Sequence, residues 1–262
     1  PTEVIDEVKY YIQKYQVSMI EFYDLTAIVR KDWIIDFCNL YLKNNLKVGW
    51  SLPSGTRSEA LDDEVLPLLY KTNCKFISYA PESGSNKTLK EIKKQVKLER
   101  LVHSVRNAAR IGIATKCNLI IGFPKDTHLE VLKTLFFQIK LAWLGVDDVP
   151  IYMYTAYPGS ALFDYLRGTR QISDMNDEYF DSLLAYSDLG VTKNYCENIS
   201  GGALRFYRIM GISNFYALSY IFRPWRILRT FYNVFIKKVS SSVFEQRLLE
   251  MLKRASQKTK PA

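Results

Sequence analysis

Ala114-Thr115-Lys116-Cys117-Asn118-Leu119-Ile120-Ile121-Gly122-Phe123-Pro124 is the stretch on which the fold turns. Its end is nearly all apolar, as in a strand covered by helices, and Gly122-Phe123-Pro124 closes it abruptly. Leu98 to Ile111 before it and His128 to Trp143 after it carry apolar residues at helical spacing. The same alternation continues outward. Upstream, strands are expected at Phe76–Ala80, Val48–Leu52 (stopped by Pro53) and Ser18–Tyr23 (ending at Asp24). Helices are expected at Asp62–Lys71, at Asp32–Asn44 with Asp32 as N-cap, and at Thr2–Tyr15. Downstream, Val149–Thr155 reads as a fifth strand, closed by Tyr157-Pro158-Gly159. Strands alternating with helices about every 30 residues predict βα units and a parallel sheet. Two architectures remain open, a doubly wound sheet and part of a barrel, and both place ligands beyond the C-terminal strand ends.

From about Asp174 the pattern is helical throughout, and Pro224 separates Ala203–Phe222 from Trp225–Lys238. The expected division is a barrel-like body over 1–170 and a helical, basic extension over 171–262. The chain has 262 residues, 48% hydrophobic and 24% charged, ordinary for a folded protein, and its 12 Gly and 9 Pro exclude collagen and wholesale disorder. The net charge of +9 is unevenly placed. Residues 202–262 carry 12 Lys and Arg against only Glu245 and Glu250, so the body is close to neutral and the excess belongs to the extension. Nucleic acid is therefore not favoured as a partner. Four scattered cysteines do not make a disulfide scaffold, which favours a reducing, cytoplasmic setting. The chain opens on Pro1 and is read as a fragment or a processed product.

Each strand end carries residues able to meet a ligand. Asp24 is a cleft carboxylate or a turn cap. Ser54-Gly55-Thr56-Arg57 brings an Arg suited to a carboxylate or phosphate. Tyr79-Ala80-Pro81-Glu82-Ser83-Gly84-Ser85 offers acceptors for ribose hydroxyls or an ammonium group, or is an N-cap turn. Gly122 brings backbone amides close to a ligand, and Tyr154 to Ser160 offers backbone groups and an aromatic face to a base. His103 and His128 are the only histidines and sit in no metal-spaced motif; there is no P-loop and no G-x-G-x-x-G.

In their order, the first strand, Glu82-Ser83-Gly84-Ser85, Ile121-Gly122-Phe123-Pro124 and Tyr157-Pro158-Gly159-Ser160 resemble the radical S-adenosylmethionine (SAM) enzymes, most closely the branch with an N-terminal cobalamin-binding domain. The resemblance covers residues 1 to about 170. It implies a partial (βα)6, TIM-like α/β barrel whose strand ends surround SAM, followed by the helical extension. It places Asp24 near the methionine amino group, although the family's Gly-Gly-Glu is absent here. Glu82 and Ser83 match the Glu-Ser pair near the ribose or amino group. Gly122 and Pro124 match the loop near the adenosine, and Tyr157, Pro158 and Gly159 the segment near adenine. Lys94 and Arg57 are carboxylate partners. The implied reaction is reductive cleavage of SAM at a 4Fe–4S cluster to a 5′-deoxyadenosyl radical, with methyl transfer or rearrangement through cobalamin held by an N-terminal domain. An electron donor such as flavodoxin or ferredoxin and a small-molecule or lipid-like substrate follow from the same resemblance. The alternatives are a non-catalytic barrel that binds a nucleotide-like ligand or a partner, and a peripheral membrane protein whose barrel is only a scaffold.

The family's Cys-x3-Cys-x2-Cys cluster loop is absent. Cys38, Cys74, Cys117 and Cys196 stand 36, 43 and 79 positions apart and read as buried small hydrophobes. The cluster ligands and first strand are expected upstream of Pro1, and the edge of Ser18–Tyr23, left open, is expected to promote aggregation. In the extension, Leu228, Phe231, Tyr232 and Phe235 share a helical face among Arg226, Arg229, Lys237 and Lys238. Three readings are open for 203–238: its aromatics pack on the barrel, it lies on the inner face of a membrane, or, third, its interleaved basic and aromatic residues bind RNA, although no RNA module is visible.

Overall fold

The computed structural model describes residues 1–24, 28, 30–56, 60–186 and 193–258. Five parallel strands form one sheet in the order β1-β2-β3-β4-β5: β1 Met19–Glu21, β2 Gly49–Thr56, β3 Cys74–Glu82, β4 Ala114–Ile121 and β5 Ile151–Met153. Strand order decides between the two architectures. Successive right-handed crossovers that never reverse direction stack every helix on one face and curl the sheet into a half-barrel, whereas a doubly wound sheet reverses at a switch point. The expected partial TIM-like barrel is what forms.

The helices of the body are α1 Thr2–Tyr15, α2 Lys31–Lys43, α3 Val65–Lys71, α4 Asn86–Glu91, α5 Leu98–Ile111, α6 His128–Leu144 and α7 Ala161–Gly168. Their apolar faces meet one side of the sheet. Phe37 of α2 lies 5.4 Å from the ring of Trp50 on β2, and the Tyr79 hydroxyl of β3 is 3.0 Å from Ser104 on α5. Along β4, Thr115, Cys117, Leu119 and Ile121 are buried while their alternating neighbours are half-buried and line the concave side.

Several boundaries differ from expectation for identifiable reasons. Pro53 does not stop β2. The ladder pairs Leu52 with Ile77 and then Thr56 with Tyr79, so Pro53-Ser54-Gly55 bulges outward, with Gly55 at φ +98°, and pairing resumes beyond the proline. Arg57 lies outside the described residues. Asp32 is not the cap of α2; Arg30 holds that position and Asp32 sits in the first turn, hydrogen-bonded to Arg30. At α3 it is Asp62 that accepts from the amides of Glu64 and Val65, so the helix begins later than Asp62. The first and fifth strands are shorter than expected.

The extension comprises α8 Asp177–Ser182, α9 Gly201–Phe222, α10 Trp225–Phe231, a π-helical turn Tyr232–Lys237 and α11 Val243–Lys258. Ser200 caps α9. The helix then crosses α6 and β5 where Gly211 lets the backbones approach; a Cβ there would come within 2.3 Å of Ile151 Cδ1. Buried Arg208 donates from Nε to the Ile151 carbonyl at 3.1 Å. Arg223 bonds the carbonyls of Ala142 and Trp143, and Arg226 those of Gly145 and Val146, so two arginines occupy the C-terminal end of α6, where the helix dipole favours cations. Arg208, Arg223 and Arg226 thus clamp the extension to the body.

Candidate active site

The C-terminal ends of β3, β4 and β5 share one mouth. At the end of β3 the ladder slips, pairing Tyr79 with Cys117 and then Glu82 with Leu119. This bulge throws Glu82 into a left-handed conformation at φ +65°, sparsely populated by residues with a side chain and common at ligand sites. Its Oε1 meets Lys94 Nζ at 3.0 Å in a half-buried ion pair. Lys94 is held from behind by its own amide, which donates to the Leu89 carbonyl at 2.8 Å as the chain leaves α4.

Ser83 turns the other way. It is buried, and its hydroxyl lies 3.0 Å from Thr134 Oγ1 on α6. Thr134 spends its own proton on the Glu130 carbonyl and also accepts from the Gly84 amide, so Ser83 is the donor. Gly84 lies so close to α6 that a Cβ would fall 2.4 Å from Phe137 Cβ and 2.8 Å from the Lys133 carbonyl. The Glu-Ser pair therefore divides its work: Ser83 latches the loop to α6 and Glu82 is left in the mouth.

The β4 loop is organised by Asp126, a residue that sequence reasoning missed. Its Oδ2 accepts from the amides of Gly122 and Phe123 at 3.1 Å each, and its Oδ1 from Thr88 of α4 at 2.8 Å. Burial pushes its carboxyl up to about 6 against these hydrogen bonds, which favour the charged form. Gly122, at φ +84°, does turn sharply, but its amide is occupied by Asp126 rather than free for a ligand. Pro124 borders a cleft of about 290 Å³ between α4 and α7, with Ile92, Phe123, Leu162 and Tyr165. The one available signal for Asp126 was a carboxylate four residues after a strand-ending glycine, where it can cap its own loop.

Past β5, Tyr157 is half-exposed and Pro158 and Gly159 lie on the surface, while Ser160 caps α7 by accepting from the Phe163 amide at 3.2 Å. Inside the concave face, Asn118 of β4 donates from Nδ2 to Ser78 Oγ at 3.2 Å. Its Oδ1 is buried with no hydrogen-bond partner, as are Thr115 Oγ1 and the hydroxyls of Tyr154 and Tyr195. Asp24 is exposed beside an apolar hollow of about 140 Å³ with Phe22, Trp33, Phe37 and Trp50, and β1 lies two strands away from β3.

The family model described as "Radical SAM superfamily" matches residues 1–137, just over half of the chain. The chain belongs to the radical SAM superfamily. Among curated relatives, an uncharacterized methyltransferase of Pyrococcus horikoshii is 28% identical over 173 residues, 66% of this chain and 37% of its own. The anaerobic magnesium-protoporphyrin IX monomethyl ester cyclase of Rubrivivax gelatinosus is 22% identical over 96% of this chain and 44% of its own. The chain thus spans less than half the length of these relatives. The radical SAM methyltransferase TsrM of Kitasatospora setae, solved with tryptophan and a SAM analogue, superposes over 83% of this chain and 46% of its own with a TM-score of 0.57 at 12% identity, a likeness of fold.

Superfamily membership implies SAM and a 4Fe–4S cluster. For SAM, the groups at the mouth fit: a carboxylate and an ammonium at Glu82 and Lys94, both partly exposed. For the cluster, this chain's residues do not fit. All four cysteines are buried, and burial pushes their thiols up, Cys38 to about 11, whereas cluster ligands are thiolates. Among the described residues no group of three His, Cys, Asp or Glu could hold a metal ion.

Proposed function

We propose that this chain is the SAM-binding part of a radical SAM enzyme of the methyltransferase-like kind, the cluster ligands being supplied from outside these 262 residues. The observation that carries the reading is Glu82, held in a left-handed conformation at the mouth and paired with Lys94. In this reading Glu82 receives the ribose hydroxyls or the amino group of SAM, Lys94 meets its carboxylate, and Tyr157, Pro158 and Gly159 border the adenine. Ser83 and Asp126 hold the two loops that carry these groups. SAM, when bound, supplies the superfamily's methyl or 5′-deoxyadenosyl group. The methyltransferase names of the Pyrococcus horikoshii relative and of TsrM favour methyl transfer, and cobalamin as its carrier is proposed from the resemblance and from the fold shared with TsrM, which has also been solved with cobalamin bound.

Calorimetric titration of SAM into the chain tests this without any cluster. One saturable site is expected, weakened roughly 10- to 100-fold in Glu82→Gln because a hydrogen bond to a charged partner contributes about 1.5–3 kcal/mol. Unchanged affinity in that variant refutes the assignment. A second reading, a barrel that binds SAM without cleaving it, is favoured by the poor fit of the four buried thiols to a cluster. Iron and sulfide analysis of the longest native form after anaerobic reconstitution separates the two: about four irons per chain supports the enzyme, and none supports the binding barrel.

A further inference from the structure

The helix after Pro224 is inside out. Helices on a folded body normally turn their apolar stripe inward and their polar face to water. Here the polar residues point inward. Buried Arg226 holds the end of α6, Thr230 donates to Glu245 Oε1 at 2.9 Å, and Asn233 donates to Glu245 Oε2 and to Ser241 Oγ at 3.1 Å each. The opposite face carries Trp225, Leu228, Phe231, Tyr232, Phe235 and Ile236, all between 48% and 72% exposed. The rings of Phe231 and Phe235 lie 5.1 Å apart, and Lys237 Nζ stands 5.1 Å from the centre of the Tyr232 ring. The helix is anchored by its charges and presents its hydrophobes.

The surrounding charge narrows what this face can meet. From Gly201 to Phe244 the sequence has no Asp or Glu, and Glu245 is 1% exposed and enclosed by the hydrogen bonds just named. Lys237 and Lys238 follow the apolar face directly. A second copy of this face would bring like charges together. No helix among the described residues is long and apolar enough to cross a membrane. Aromatic and aliphatic side chains with neighbouring lysines, on a stretch without Asp or Glu, match the boundary layer of an anionic bilayer, where rings enter the interface and lysines meet headgroups.

We propose that α10 and the turn Tyr232–Lys237 dock the protein in-plane on an anionic lipid surface, with Trp225, Leu228, Phe231 and Phe235 entering the interface. Flotation with phosphatidylcholine vesicles, with and without about 30 mol% phosphatidylglycerol, tests it. The wild-type chain is expected to float with the anionic vesicles and to be released as salt is raised toward about 1 M. Leu228→Asp/Phe231→Asp is expected to lower partitioning about a hundredfold or more, with an unchanged melting temperature because both side chains already face water. Lys237→Glu/Lys238→Glu is expected to reduce flotation on anionic vesicles and leave any residual binding to neutral ones. Three results overturn the proposal: no flotation with either vesicle, equal flotation of wild type and the Asp pair, or a salt-resistant dimer in sedimentation velocity that the Asp pair abolishes while vesicles remain unbound.

Discussion

Replacing Arg226 tests whether the basic extension is a clamp or a free charge. The guanidinium is 6% exposed and makes four hydrogen bonds: Nη1 to the Val146 carbonyl at 2.8 Å and to Ser219 Oγ at 2.6 Å, Nη2 to the Gly145 carbonyl at 2.8 Å and to Asp147 Oδ1 at 3.0 Å. Arg226→Met keeps the aliphatic stem and strands these partners. Asp147 retains Arg229 at 3.1 Å, so its charge is not left alone. The carbonyls of Gly145 and Val146 lose their donor, at roughly 1–3 kcal/mol for each group left unpaired, and the whole change is expected to cost about 3–5 kcal/mol. For a chain of this size that is a drop in melting temperature of roughly 6–20 °C. Arg226→Lys restores the charge but not the planar fork, and falls between the two. Calorimetric melts of the three proteins in the same buffer decide the matter. If Arg226→Met melts within about 2 °C of wild type, the guanidinium is not holding α6 and the docking of the extension is wrong.

Asp126 predicts a pH signature. Its carboxyl ordinarily titrates at 3.8 and is raised to about 6 in the folded state, so the folded protein binds this proton more tightly than the unfolded chain does. The stability it contributes is therefore lost as pH rises through that interval, and Asp126→Asn should gain about 2–3 kcal/mol relative to wild type between pH 4 and pH 7, read from urea midpoints; a constant difference would show that the hydrogen bonds to Asp126 offset its burial. Gly84→Ala should lower stability by about 1–3 kcal/mol or more in thermal melts, because the added carbon meets backbone of α6, and an unaltered melt would place the loop elsewhere. All four thiols are buried, so Ellman's reagent should label none in the native protein and all four in urea; a fast-reacting thiol under native conditions would contradict the packing of Cys38, Cys74, Cys117 or Cys196.

Much of the body was legible because its signals are local. The helices Thr2–Tyr15 and Leu98–Ile111 and the strand Ala114–Ile121 form with the bounds that periodicity predicts. What depended on pairing between distant segments was not. The continuation of β2 past Pro53 and the backbone of Glu82 both follow from bulges, and a bulge is set by the neighbouring strand. The choice between a doubly wound sheet and a barrel rested on strand order, which no single segment carries. Ser83 reads with Glu82 as one Glu-Ser pair from the family resemblance, and its hydrogen bond to Thr134, fifty-one residues away, is a contact that no local signal carries. The extension looked like a basic tail, and only the contacts of Arg208, Arg223 and Arg226 with the body separate its structural charges from Lys237 and Lys238. Its aromatics divide: Phe215 and Tyr216 are buried against the body, as packing on the barrel requires, whereas Phe231, Tyr232 and Phe235 stand about half exposed.

The central claim is that SAM sits at the mouth formed by the ends of β3, β4 and β5. Photolabelling with an azidoadenosyl analogue of SAM, followed by peptide mapping, tests it most directly. The account predicts label, displaced by excess SAM, in the peptides that carry Glu82, Pro124 or Tyr157. Displaceable label confined to α1, α2 or the extension, with none at the three strand ends, would contradict it.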